Sequence, residues 1–234
     1  MTRLRLYVLP RLCLGLSVLF FLFALWVLWL SLERPLPTVA LACRQAERAG
    51  LSSSGTLLAS GSAELGQASS HHDRWAVLRY GDGTYALAEL DRRAGILWTL
   101  QPDHMQSLSL PSQGLLAFHT SPTVAWDPGE FWRDDYDISG TGNYLHLVPL
   151  ALCTDPSVVR LEGEFLVLGS QEDQETAWAE RAVPIRWRSA GGGVWAGDPV
   201  SGLMPETSDG GFGGSACIRC RGYDAAGNLV CSYD

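Results

Sequence analysis

The chain predicts a single N-terminal transmembrane helix followed by a mainly-β extracytoplasmic domain, an antiparallel sandwich or two small sheets, with one short helix at its start. Three observations predict this. Residues 12–32 form an uncharged run of 21 residues. The chain beyond it is dominated by short apolar runs bounded by Gly, Pro, Asn and Asp, the pattern of strands and turns. One segment there shows helical spacing of small apolar residues, and no later helix of ordinary length is evident.

The uncharged run spans roughly 31 Å as a helix, the thickness of a bilayer hydrocarbon core. Trp26 and Trp29 lie toward its far end, where amphipathic rings favour the interface. Arg3, Arg5 and Arg11 precede it, and no acid occurs before Glu33. That asymmetry makes 1–11 a short cytoplasmic tail, 12–32 the anchor in the lipid bilayer, and the remainder extracytoplasmic. Ala40-Leu41-Ala42 before Cys43 resembles a leader cleavage site. However, the apolar run is longer than a leader core, and Glu33, Arg34, Pro35 and Pro37 separate it from Ala40. The uncleaved anchor is therefore preferred.

Pro35 and Pro37 stiffen a stem at 33–37, and 38–234 is the outer region. Thr38 is placed to cap a helix over 39–49, with Gly50 just past its end. Val39, Ala42, Cys43, Ala46 and Ala49 share a narrow face suited to close docking, while Arg44, Gln45, Glu47 and Arg48 fall elsewhere. Strands are expected at 75–80, 84–90, 96–100, 114–119, 144–148, 157–168 and 182–187, with a closing hairpin around 224–227. The 157–168 run alternates. Val159, Leu161, Gly163 and Phe165 oppose Arg160, Glu162 and Glu164, giving one buried and one wet face. Residues 52–70 and 208–215 read as weakly structured, and the loop 121–143 marks a candidate division of the outer region.

Composition narrows the chemistry. All 17 basic residues are Arg, so a P-loop lysine, a Schiff-base lysine and a Ser–Lys dyad are excluded. After residue 32 the chain carries 14 Arg against 25 Asp plus Glu, a net of −11. So acidic a region lacks the basic face that nucleic acid requires. Arg used without Lys is also what a GC-rich coding sequence tends to produce, which points to a bacterial source.

Cys13 lies in the anchor, leaving Cys43, Cys153, Cys217, Cys220 and Cys231 outside, where disulfides are permitted. If 224–227 is a four-residue loop, Tyr223 faces Asn228 and Cys220 faces Cys231. Their Cβ atoms then sit about 4.5–5.5 Å apart, and a disulfide needs a modest pinch toward about 3.8 Å. Cys220 and Cys231 are thus the expected disulfide, with Cys153 or Cys43 left as partners for Cys217. Cys217 and Cys220 also form a C-x-x-C, but neither a second ligand pair for zinc nor a thioredoxin-like helix accompanies it.

The densest polar cluster is 126–143. Asp135, Asp137 and Ser139 match the first half of a calcium loop, although position twelve is His146, where a bidentate Glu is required. Calcium is the one cofactor hinted at, and a solvated acidic loop is the preferred reading. Trp126, Glu130, Trp132, Asp134 and Tyr136 place aromatics beside carboxylates, as in a carbohydrate platform or glycosidase cleft; rings that pin the loop by packing are preferred. The five His show no ligand spacing beyond His71-His72-Asp73, which reads as a solvated loop. No G-x-S-x-G, H-E-x-x-H, G-x-G-x-x-G or P-loop occurs. The expectation is a non-catalytic binding, sensing or assembly module of the bacterial envelope, acting through a protein or envelope partner and not through nucleic acid. An envelope hydrolase built on 126–137, acting on glycans, is the alternative.

Overall fold

The computed structural model describes residues 2–50, 52–65, 72–126, 143–169, 172–207 and 212–234, the side chains of 2–12, 125 and 126 excepted. The chain opens with α1 (Thr2–Ser31). Within it Cys13–Ser31 is long and apolar enough to cross a membrane, and none of that stretch is buried against the rest of the protein. A core helix of this composition would be covered. Here Phe20, Leu19 and Leu14 stand about two-thirds exposed or more.

The chain then reverses. Glu33 and Arg34 adopt positive φ of 63° and 55°, a conformation that costs non-glycine residues of order 1–3 kcal/mol each. Trp29 Nε1 donates to the Pro35 carbonyl across this bend at 3.2 Å. The stem is then fastened to the domain, because Leu36 and Trp98 exchange two backbone hydrogen bonds of 2.8 and 2.7 Å. Arg93 reaches Glu33 at 2.8 Å, and Gln101 Nε2 donates to the other oxygen of Glu33 at 3.3 Å.

α2 (Val39–Ala49) begins where expected, with the Thr38 hydroxyl accepting from Leu41 N at 3.3 Å. It lies on a sheet of β1 (Thr56–Ser62), β2 (Arg74–Arg79), β3 (Tyr85–Arg93) and β4 (Leu97–Thr99) in that order, with β5 (Met105–Leu108) also on β3. A 3-10 turn, Pro102–His104, joins β4 to β5. Alternation splits β2 and β3 between two cores. Ala76, Leu78, Ala88 and Leu90 pack under Val39, Ala42 and Cys43 of α2. Trp75, Val77, Tyr85 and Leu87 face the other way, into a core shared with Phe118, Leu150 and Val194. Both faces of this sheet are therefore covered.

The later chain adds β6 (Leu115–His119), β7 (Thr123–Trp126), β8 (Asn143–Leu147), β9 (Pro149–Cys153) and β10 (Arg160–Leu168). These are followed by α3 (Gln174–Arg181), β11 (Val183–Ile185), β12 (Trp187–Gly191), β13 (Val194–Gly197), β14 (Val200–Leu203), β15 (Ser215–Tyr223) and β16 (Leu229–Tyr233). They form three antiparallel sheets, β12-β13-β9-β6, β11-β10-β15-β16 and β14-β8-β7. Phe165, wholly buried, lies in the core these sheets share. The protein is thus mainly β, with several antiparallel sheets.

Several expectations need correcting. Residues 52–70 are not uniformly loose, since β1 runs through them; its Ser and Gly residues hide the strand signal. Val159 is exposed rather than buried, and Leu166 breaks the expected alternation by being buried alongside Phe165 and Val167. The reason is α3, whose Ala177 and Trp178 cover Leu166, so the wet face of β10 ends at Glu164. α3 itself is the helix the sequence did not reveal, capped by Asp173, whose carboxylate accepts from Thr176 N at 2.9 Å. On α2, Ala49 is exposed, whereas Glu47 is buried.

Candidate functional site

Three places in the described structure gather reactive groups. The first is where β3 changes partners. Tyr85–Ala88 pair with β5, and Asp91–Arg93 pair with β4. The 3-10 turn between β4 and β5 bridges this gap and ends at His104. Just before β2, the amide of Asp73 donates to the Leu90 carbonyl at 3.0 Å, which brings His72 beside Asp91. The His72 Nδ1 lies 2.8 Å from Asp91 Oδ1, and the His72 and His104 rings approach to 4.5 Å between centroids at a 58° tilt. One donor atom from each of the three residues lies within 4.8 Å of the others.

The His72 side chain is 12% exposed and that of Asp91 20%, so the cluster is shielded but reachable. Arg93 stands 3.8 Å from the second Asp91 oxygen and is itself held by Glu33. Arg74 and Arg92 lie on the Trp98 ring, their guanidinium carbons 5.3 and 5.1 Å from its centroid. His72 is therefore no solvated loop residue, as its sequence neighbourhood implied. His71 lies outside the described residues. The three partners are far apart in sequence and are joined by the pairing of β3 with β2, β4 and β5.

The second place is a thiol cluster. Cys153 at the end of β9 and Cys231 on β16 bring their sulfurs to 3.9 Å, with Cys220 buried in the same core. Burial first, and then the neighbouring thiols, pushes Cys220 up to about 12. Cys231 is pushed up to about 11, again by burial first and then by Cys153. Both are therefore neutral thiols with little nucleophilic character at neutral pH. The half-buried Cys217 is also raised by burial, against an opposing pull from Arg219.

The expected hairpin register does not hold. Asp224 N donates to the Asn228 carbonyl, which makes the turn one residue longer. Tyr223 then pairs with Leu229 and Gly222 with Cys231, leaving Val230 as an extra residue. The longer turn and the bulge together put Tyr233, not Cys231, opposite Cys220.

The third place is the buried carboxylate of Glu47. Its Oε1 accepts from Gly55 N at 2.9 Å, and Tyr80 lies near enough to be influenced by its charge. Burial and then Glu47 push Tyr80 up to about 12, and the same two causes push Cys43 up to about 12. Sequence reasoning placed Glu47 off the packing face, yet Val39, Cys43 and Glu47 form one i, i+4, i+8 row. This is an internal staple, since the Glu47 carboxylate ties α2 to the start of β1 through the Gly55 amide.

The acidic and aromatic cluster that the sequence singled out is not among these places. Glu130, Trp132, Asp134, Asp135, Tyr136, Asp137 and Ser139 lie outside the described residues, and Trp126 is described only as the last backbone position of β7. No protein-family model matches the chain, and neither the curated proteins nor the solved structures yield a match.

Proposed function

We propose that the protein is a membrane-tethered module of the bacterial envelope that holds a β domain outside the membrane for binding, sensing or assembly, without catalysing a reaction. The observation that carries this reading is the way α1 joins the domain. A leader is discarded, so residues up to its cleavage point have no role in the mature fold. Here cleavage before Cys43 would remove the Leu36–Trp98 backbone pair, the Glu33 contacts, the Thr38 cap and the buried side chains of Val39 and Ala42. Retained residues of this kind support an anchor, and the uncovered apolar surface of α1 supports a bilayer around it. The three arginines ahead of the run support an N-terminus on the cytoplasmic side.

The direct experiment isolates the protein from cell membranes and sequences its N-terminus, with protease added outside spheroplasts in parallel. The expected result is a chain that stays with the membrane after alkaline carbonate, retains residues 33–42, and loses its domain to external protease. A chain beginning at Cys43, or a domain protected from external protease, overturns the reading.

A further inference from the structure

We propose that His72, Asp91 and His104 form a binding site for a divalent transition-metal ion of the zinc type. This inference stands on the geometry of the β3 fork and is independent of the membrane reading. Two imidazoles and one carboxylate form a nitrogen and oxygen donor set suited to zinc, and three protein ligands leave a fourth position for water. Metal–ligand bonds of about 2.0–2.2 Å in a tetrahedron put donors about 3.3 Å apart. The His72–Asp91 separation of 2.8 Å is already near that value, and the widest pair lies within 4.8 Å. Small side-chain rotations close the remainder.

A plain hydrogen-bonded His–Asp pair explains His72 and Asp91 but leaves out His104. The His104 imidazole has no hydrogen-bond partner among the described residues, yet it leans over the His72 ring. A shared ion gives it a reason to be there. Arg93 is the opposing charge, and Glu33 takes up its guanidinium at 2.8 Å, which lessens the repulsion an ion would meet at Asp91. Bound metal would tie the approach to β2, the far half of β3 and the 3-10 turn together, beside the stem.

The experiment titrates the full chain in detergent micelles with Co2+, followed by displacement with Zn2+. The expected result is one ion per chain, with visible bands of nitrogen and oxygen coordination and no sulfur-to-cobalt charge transfer in the near ultraviolet. His104→Ala and Asp91→Asn should each weaken binding at least about 10-fold, while Cys217→Ser leaves it unchanged. No stoichiometric uptake at micromolar metal, a thiolate charge-transfer band, or equal affinity in His104→Ala would each overturn the site. The wild-type spectrum separates these outcomes even if a variant fails to fold.

A separate observation carries a second proposal: Cys153 and Cys231 are the pair that oxidises to a disulfide. It rests on the extracytoplasmic reading for its occurrence in cells, but not for its pairing. Their sulfurs must close by about 2 Å to reach the bonded distance, and Cys153 lines a cleft of about 460 Å³ with Thr154, Asp155 and Gly193 through which an oxidant can approach. Each thiol yields one hydrogen. Two electrons and two protons pass to a disulfide acceptor, a protein oxidase or glutathione disulfide, which becomes two thiols as the Cys153–Cys231 bond forms.

Trypsin separates the candidates, because Arg219 and Arg221 leave Cys220 in a dipeptide apart from the peptide that holds Cys231. Purified full chain treated with glutathione disulfide should yield the Cys153 peptide linked to the Cys231 peptide. Linkage of Cys220 to either, or full alkylation of all three, overturns the pairing. If the bond forms in vitro but is absent from cells alkylated at harvest, the pairing stands and the extracytoplasmic placement fails.

Discussion

α1 and α2 are separated by seven residues and dispose of their apolar side chains in opposite ways. α1 is apolar all round and buries nothing within Cys13–Ser31. α2 carries Arg44, Arg48 and Glu47, yet buries Val39, Ala42, Cys43 and Ala46 almost completely. Apolar content therefore does not decide which helix enters a protein core. What decides is an apolar stripe of the right size, and the small side chains of α2 meet the equally small Ala76 and Ala88 of the sheet. A helix without a polar face has no side to turn toward water, which is why α1 is read above as a membrane anchor.

The largest way to break this contrast is to give α1 a charge. Leu19→Arg with Leu22→Arg should cost about 5–7 kcal/mol of membrane insertion, at about 2.5–3.5 kcal/mol per residue. The protein should then leave the membrane fraction while the melting of its domain stays unchanged. A drop in domain melting would show that α1 packs on the domain after all. Next comes Glu47. Truncation in Glu47→Ala strands the Gly55 amide, at about 1–3 kcal/mol for the unsatisfied group. Glu47→Gln keeps an accepting oxygen and should cost clearly less by denaturant titration.

The α2 interface is also the pH-sensitive one. Cys43 and Tyr80 are both raised to about 12, against ordinary values near 9 and 10. A folded-state value above the unfolded one means that the unfolded chain ionises first. The stability these neutral groups contribute is complete below about pH 9 and is lost as pH rises toward about 12. Alkaline melts should show that decline, with the thiols of Cys220 and Cys231 adding to it. In Glu47→Gln the slope should ease but persist, because burial is the larger cause at Cys43 and Tyr80. A melt that does not change from pH 8 to about 11 would contradict it. A smaller effect is expected at the helix start, where Thr38→Ala removes the acceptor for Leu41 N and should cost about 1 kcal/mol.

The same two helices show what a sequence can reveal. α1 and α2 were legible because length, charge and a 3.6-residue stripe are local properties. Most long strands were legible for the same reason. β9 was not, since all five of its residues are buried and no alternation marks it. β1 was masked by Ser and Gly, and the four-residue strands β5, β7, β13 and β14 are too short to carry a period. The metal candidate was invisible because His72, Asp91 and His104 meet only through strand register. The hairpin register differs by two residues, one from the longer turn and one from the bulge at Val230, and no local signal for either exists in Asn228-Leu229-Val230. Properties that depend on one element's periodicity were readable, and properties that depend on registry between elements were not.

The smallest effect sharpens the contrast at the joint between the helices. Arg93 and Glu33 are both more than a third exposed, so their ion pair should add little to stability, about 0.2–1 kcal/mol at most. Arg93→Ala should leave the domain melt within about 1 kcal/mol of wild type. Its effect should instead appear at the β3 fork. The guanidinium stands 3.8 Å from an Asp91 oxygen, and its loss removes a positive charge from the place where a divalent cation would sit. Cobalt binding by Arg93→Ala should therefore be tighter than wild type, and less dependent on salt, because the repulsion removed is itself screened. Weaker binding would mean that Arg93 holds Asp91 in position for the ion. In that case the stem, through Glu33 and Arg93, is a structural support of the site and not merely its neighbour.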